Sequence, residues 1–381
     1  MDPEAWAGVE ELLDRYIGVR PDDYVVILYT SDSCESAAWV SAALEIREIE
    51  SRRVWMIPLH DEQFPERLAS ALPGERLKAR LVVLSFEKDT MSHAPALAAT
   101  LSSYSKGTYI VFRAISACPS LFSRALHRSP VELSARNATI LERLIPAKSL
   151  RIRTQSGSDL DVKIDSSKHR WISNRGAAKP GGVVVLPAGE VATYPAGING
   201  VFVADFAFNV NAITSQDARL HKCPVRVEVR DGRATSYKCD DDAVSRFLDE
   251  CFGVQCAVNV GELGFGTNDA VHDAIPMNSH INERRPGIHL GFGQHNQAPG
   301  IVGYQCAIHL DLIAKGGMVW MDDQEEPLDL ENITPSTAPH PDITRDEDVF
   351  SPDELDVDDC CGIMTADGLR PFRSPSCEDS P

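Results

Sequence analysis

Five side chains in the second half of the sequence are of the types that bind divalent metals: Glu190, Glu262, His289, His309 and Asp311. His309 and Asp311 lie two apart inside the apolar run AIHLDLI. In a strand, such residues point to the same face, so an imidazole and a carboxylate project together from an otherwise buried element. His289 sits among glycines in GIHLGFGQ. Glycine in a strand marks a place where something approaches the backbone closely, although a glycine-rich edge strand would read the same way. Glu262, in VGELGFGTN, stands at the end of an apolar strand, where an acid is costly unless it is paired or coordinates a cation. The Gly-Phe-Gly beside it lacks the lysine of a phosphate loop and the spacing of a dinucleotide fingerprint. Glu190 follows an apolar strand and a Pro-Ala-Gly turn in VVVLPAGEVATYP, and alone would be a loop acid. A core His–Asp hydrogen bond would explain one pair but not all five. Two imidazoles and three carboxylates are the nitrogen and oxygen set expected for Zn²⁺, Mn²⁺ or Fe²⁺.

The elements that must position these groups fall into two kinds. Residues 5–17 read as a helix, and 24–29 (YVVILY) as an apolar run of the sort buried on both faces of a parallel sheet. A helix over 35–50 follows, then apolar runs at 53–59, 80–86 and 108–115, with helical stretches at 94–105 and 131–145. Strands alternating with helices predict an α/β N-terminal domain with a mainly parallel sheet over residues 1–147. From about residue 148 the pattern changes to strands at 149–154, 159–165, 183–186, 201–210, 225–230, 234–239, 256–260, 288–292, 305–313 and 318–321, with one helix at 241–252. Asp231-Gly232 between two alternating runs is a hairpin signal. Residues 148–334 therefore predict a strand-rich α+β metal-binding catalytic domain.

Composition sets the limits. With 381 residues, 43% hydrophobic and 24% charged, the chain has room for two cores. A net charge of −19 argues against a nucleic-acid surface, which needs clustered Lys and Arg. No apolar run is long enough to span a bilayer and the first residues are acidic, so neither a membrane partner nor a signal peptide is expected, and the expected location is cytoplasmic. Residues 335–381 hold twelve acids against three arginines, a net −9, and seven prolines, which predicts a disordered acidic tail. The ten cysteines show no Cys-x-x-Cys pair and are expected as free thiols. Arg284 and Arg285, in the connection 269–286, are expected to be solvated.

The order LPAGEV…P, GELGFGTN, GIHLGFG, IHLDLI resembles the aminopeptidase T/aminopeptidase S family of metallopeptidases, over roughly residues 150–330. The resemblance implies a two-metal centre with Glu190, Glu262, His289, His309 and Asp311 as ligands, and a homodimer. One departure stands out: where the family has a tyrosine ligand, this chain reads GFGQHNQAPG, with His295 and Asn296, and the nearest tyrosine is Tyr304. Either His295 replaces the phenol or one metal is weakly held, so about one tightly bound ion per chain is expected. The expected function is a metal-dependent hydrolase acting on a short peptide or small amide through Zn, Mn or Co, with Glu262 shuttling a proton and His295 a further candidate catalytic group. The same fold appears in a ring-cleaving enzyme, 2,5-dihydroxypyridine 5,6-dioxygenase, which resembles these peptidases. That likeness implies an alternative, ring cleavage at a single Fe(II), where His309 and Asp311 match and Glu262 falls where that enzyme has its first histidine. A non-catalytic metal- or partner-binding protein is the third reading.

Overall fold

The computed structural model describes residues 2–74, 77–298, 300–341, 362–365 and 368–371. Its first layer is a five-stranded sheet in the order Ser51–Trp55, Tyr24–Tyr29, Leu81–Phe86, Tyr109–Ala114, Val183–Leu186, with every pair parallel. The continuous apolar runs exist because both faces are covered. Val25, Ile27, Val82 and Leu84 pack on Ala37, Val40 and Leu44 of the helix Cys34–Ile46. Their neighbours Val26, Leu28, Val83 and Val111 face the opposite way, against Phe64 and Leu68 of Phe64–Ala71 and Leu97 and Leu101 of Ala94–Leu101. The helix Phe64–Ala71 was not anticipated, and the helix expected over 5–17 is α-helical over Pro3–Glu11 and π-helical over Leu12–Ile17. The strand Val183–Leu186 returns to this first sheet, so a boundary at 147/148 does not divide the chain cleanly.

Among the described residues, the rest of the chain forms two large antiparallel sheets around one large core, and a small three-stranded sheet. The outer sheet has seven strands and the inner one six, the latter in the order Ala207–Val210, His309–Lys315, Gly287–Gly293, Val260–Gly266, Glu190–Thr193, Trp171–Asn174. Outer strands such as Ser149–Arg153 and Asp159–Lys163 alternate buried and exposed, as a half-covered sheet requires. The inner strands Val260–Gly266 and Gly287–Gly293 are buried at every position. The single strand expected at 201–210 is in fact two: Gly197–Ala204 belongs to the outer sheet and Ala207–Val210 to the inner one, so the chain changes sheet at Asp205-Phe206. The strand expected at 256–260 is a 3₁₀ turn, Gln255–Val258, followed by the strand from Val260. Asp231 and Gly232 both take positive φ, 49° and 72°, between Val225–Arg230 and Arg233–Lys238, as a type I′ hairpin turn demands.

Two expectations are corrected here. Cys256 and Cys306 form a disulfide, because the loop after Gly293 folds back onto the turn Gln255–Val258, a meeting that cysteine spacing does not reveal. The tail is not wholly without structure: Ser336 N donates to Ala135 O (2.9 Å), and Gly362–Thr365 pairs with Gly368–Pro371 on one side and with Ala212–Ile213 on the other. The remaining tail residues of the disorder expectation, 342–361, 366–367 and 372–381, lie outside the described residues. No helix among the described residues is long and apolar enough to cross a membrane.

Candidate metal centre

The inner sheet has an apolar face and a polar face, set by strand periodicity alone. Leu263, Phe265, Ile288, Leu290, Phe292, Leu310 and Leu312 enter the core. The residues between them, Glu262, His289, His309 and Asp311, take the other face, together with Glu190 from the neighbouring strand. Register puts a glycine opposite each of these groups: Gly266 faces Glu190, Gly264 faces His289, Gly291 faces both Glu262 and Asp311, and Gly293 faces His309. These glycines are required by space. A Cβ on Gly264 would lie 1.9 Å from His289 Nε2, and one on Gly291 would lie 2.8 Å from His309 Cε1 and 2.9 Å from Asp311 Oδ1.

Five groups separated by up to 121 positions thus converge, and all but His309 are buried, His309 being half-buried. They make two clusters that share Glu262: Glu190–Glu262–His289 and Glu262–His309–Asp311, each able to bring one donor atom per residue within 4.8 Å of the others. His289 Nε2 lies 3.0 Å from Glu190 Oε1 and 3.4 Å from Glu262 Oε1, and His309 Nε2 lies 3.1 Å from Asp311 Oδ1. His309 Nδ1 is fixed by the carbonyl of Gln294 at 2.7 Å, the outer hydrogen bond by which metal-binding histidines are oriented.

The electrostatics are those of a site with surplus negative charge. Burial alone pushes the His289 and His309 pKa values down, but the carboxylates around them outweigh it and hold both well above the ordinary imidazole value. Burial likewise raises Glu190, yet the Arg284 guanidinium and His289 bring it down to about 2, and His309 and His289 hold Asp311 well below the usual carboxylate range. Glu262 stays raised, by burial and by the charge of Glu190. Asp311 Oδ1 and His289 Nδ1 are buried without a well-directed hydrogen bond. A buried carboxylate oxygen without a well-directed hydrogen bond, borderline nitrogen and hard oxygen ligand atoms, and a net attraction for positive charge together fit a divalent cation.

Three participants were not anticipated as members of the site. Arg284, expected in solvent, is buried: its Nε donates to Pro187 O (2.9 Å), and its Nη1 to Glu190 Oε2 and to Glu283 Oε2 (3.2 Å). Gly266 makes this possible, since a Cβ there would lie 2.0 Å from Arg285 O and 2.4 Å from Glu283 O, blocking the turn Asn282–Arg284 from closing on the sheet. Glu283 is the second, its carboxyl raised well above the ordinary value by burial and by Asp311, with Asn209 donating to it. Asn209 is the third, paired in register with Asp311. The sequence signal was thin: adjacent Glu283 and Arg284 on a short connection into a buried strand.

Arg285 covers the Phe206 ring at 5.2 Å and pairs with Glu331 at 3.1 Å. His295 lies outside both clusters: its Nε2 meets Tyr304 O at 2.8 Å and its Nδ1 accepts from Gln297 N at 3.2 Å, so it organises its own loop. Tyr304 does the same, donating to Gly293 O at 3.0 Å.

A polar pocket adjoins the site where the two halves of the chain meet, lined by Lys88, Asp89 and Thr90 from the first sheet's loops and by Asn209, Asn278 and His280 from the second domain. Asn209 connects it to Asp311 and Glu283. His280 lies close enough to feel the charges of Arg284, Asp311 and Glu190, and burial with the Arg284 charge lowers its pKa to about 3.

A family model described as crocagin biosynthetic protein CgnE/B matches residues 197–318. No curated protein matches the chain. Among solved structures, the chain is similar to 2,5-dihydroxypyridine dioxygenase from Pseudomonas putida KT2440, at 16% identity and a TM-score of 0.60, covering 87% of this chain and 97% of that one. It is also similar to wild-type AmpT from Thermus thermophilus, at 13% identity and a TM-score of 0.52, covering 87% of this chain and 99% of that one. Identities this low establish a shared fold, one that carries a metallo-aminopeptidase in one case and a dioxygenase in the other.

Proposed function

We propose that this chain is a metal-dependent enzyme acting on a small amide or short peptide. The observation that carries the reading is the Glu262–His309–Asp311 cluster, set on a face cleared by glycine and adjoining a polar pocket. Glu262, His309 and Asp311 would hold the cation. When bound, a Zn²⁺, Mn²⁺ or Co²⁺ ion supplies Lewis-acid polarisation of a substrate carbonyl and a more acidic water.

The chain's own groups supply the rest. Gln294 O keeps His309 Nδ1 protonated, which leaves Nε2 as the donor atom. Glu262, its carboxyl raised by burial, is the group that takes a proton, and the His289 imidazole 3.4 Å away is a positive neighbour that orients it. Lys88 and Asp89 line the pocket with opposite charges suited to the ionic ends of a short peptide, and His280 offers an uncharged imidazole at neutral pH.

A second reading, ring cleavage of a hydroxylated aromatic or pyridine at Fe(II), is favoured by the imidazole–carboxylate pair His309–Asp311, two members of a two-histidine, one-carboxylate set. One experiment separates the two. Protein purified without added metal is analysed for bound ions, then assayed with leucine-anilide and, under air, with catechols and hydroxypyridines. Metal-dependent amide cleavage supports hydrolysis, and oxygen uptake supports the second reading. A chain that retains no ion and is inactive with every divalent metal supplied would sink both.

A further inference from the structure

The two clusters that share Glu262 are not equivalent, and the difference is Arg284. On the His309 side, Glu262 and Asp311 meet imidazoles, His289 at 3.4 Å and His309 at 3.1 Å, and feel the Arg284 charge only through space, and the neighbour behind Asp311 is another acid, Glu283. On the Glu190 side, a guanidinium already sits against the carboxylate. Its side chain is 4% exposed, and it is held by Pro187 O through Nε and by Glu190 and Glu283 through Nη1. Its backbone is fixed too, because Asn268 N donates to Arg284 O at 2.8 Å. An arginine is charged at any physiological pH, so Glu190 meets a positive charge before any ion arrives. A dication placed among Glu190, Glu262 and His289 would share Glu190 with that guanidinium in a desolvated setting, where like charges repel strongly.

We infer that Arg284 takes the place of a second ion: the centre holds one metal, on Glu262, His309 and Asp311, while Glu190 and His289 bind the protein's own cation and each other. This rests on the reading of the site as metal-binding. His289 is then a hydrogen-bond partner of Glu190, through Nε2 at 3.0 Å, and not a ligand. Single occupancy follows from Arg284, not from the missing tyrosine near His295, which lies outside both clusters.

The test is metal stoichiometry by elemental analysis after dialysis against Zn²⁺ or Mn²⁺, with calorimetric titration as a second readout. The unmodified chain is expected to retain one equivalent. Arg284→Gln, which removes the charge, is expected to take up two, Arg284→Lys to stay at one, and Arg284→Gln combined with Glu190→Gln to return to one. Should Arg284→Gln fail to fold without metal, recovery of its melting transition on adding Zn²⁺, with two equivalents bound, gives the same answer. Independently of any Arg284 variant, His289→Gln should keep its one equivalent, with affinity lowered by no more than the about 10–100-fold that losing an outer partner of a ligand costs, whereas Asp311→Ala should lose it. Two equivalents in the unmodified chain, one equivalent in folded Arg284→Gln, or loss of the ion in His289→Gln would each overturn the inference and leave the metal-enzyme reading standing. No ion in any of these proteins would overturn both.

Discussion

Two buried polar clusters lie on either side of the pocket, and they solve the problem of burying charge in opposite ways. At the end of the strand Leu81–Phe86, Glu87 accepts from Arg113 (2.9 Å), Thr90 Oγ1 (2.8 Å) and Ser92 N (2.7 Å). One acid meets one base, and the carboxylate is satisfied within the protein. At the inner sheet, Glu190, Glu262 and Asp311, with Glu283 from the turn beside it, face one arginine and two imidazoles, and Asp311 Oδ1 lies 3.1 Å from His309 Nε2 without a well-directed hydrogen bond. A buried acid that is fully paired holds structure together. A buried group of acids in excess of its bases invites a cation from outside.

That contrast can be broken most forcefully at Arg113. Arg113→Met leaves Glu87 buried without its base, and removing one partner of a buried pair costs about 3–5 kcal/mol. Urea unfolding should show that loss, while the folded protein keeps its bound metal. A parallel fall in metal content would show the two clusters to be coupled. Next in size, His309→Ala and Asp311→Ala should each lower metal affinity and activity by at least ~100-fold, since even outer partners of metal ligands are worth about 10–100-fold. Elemental analysis beside circular dichroism checks it. Full activity in either variant would remove these residues from the site.

Gly264→Ala probes the cleared face without touching a donor. Its methyl would enter the space of His289 Nε2, so a loss of about 1–3 kcal/mol, typical of overpacking, is expected, together with a disturbed Glu262. Unchanged stability and unchanged metal affinity would mean that the glycine is not needed for the site. The smallest effect concerns Asp89, in the pocket between the clusters. Burial, with Asp32 adding to it and Lys88 opposing it, raises its carboxyl to about 6. A raised acid is ionised at a cost above that pH, and protonation relieves the cost as pH falls from about 6 towards the unfolded-chain value of about 3.9. Asp89→Asn should therefore raise the free energy of unfolding in urea at pH 8, by an amount on the order of 1 kcal/mol, with the gain shrinking towards pH 4. A gain that is constant across this range would exclude the titration of Asp89 as its source.

Much of the candidate site could be read from the chain because strand periodicity is local. Glu262, Gly264 and Gly266, like His289, Gly291 and Gly293, are two apart, and this spacing alone puts donor groups and cleared space on one face and Leu263, Phe265, Leu290 and Phe292 on the other. The parallel first sheet was legible for the same reason, as apolar runs of strand length between helices. Tertiary structure decided what depends on chain closure. Arg284 reaches Glu190 across 94 positions, and Cys256 reaches Cys306 across 50. The strand Val183–Leu186 leaves its sequence neighbours to complete the first sheet. His295 stands apart from the two clusters for a related reason: the fold of its loop turns both ring nitrogens onto backbone. Residue type and periodicity fix which face a side chain takes within its own strand, because that is covalent geometry. Which charge finally neutralises which acid is settled only when distant segments pack and exclude water, and so Arg284 became part of the site in three dimensions and not in the sequence.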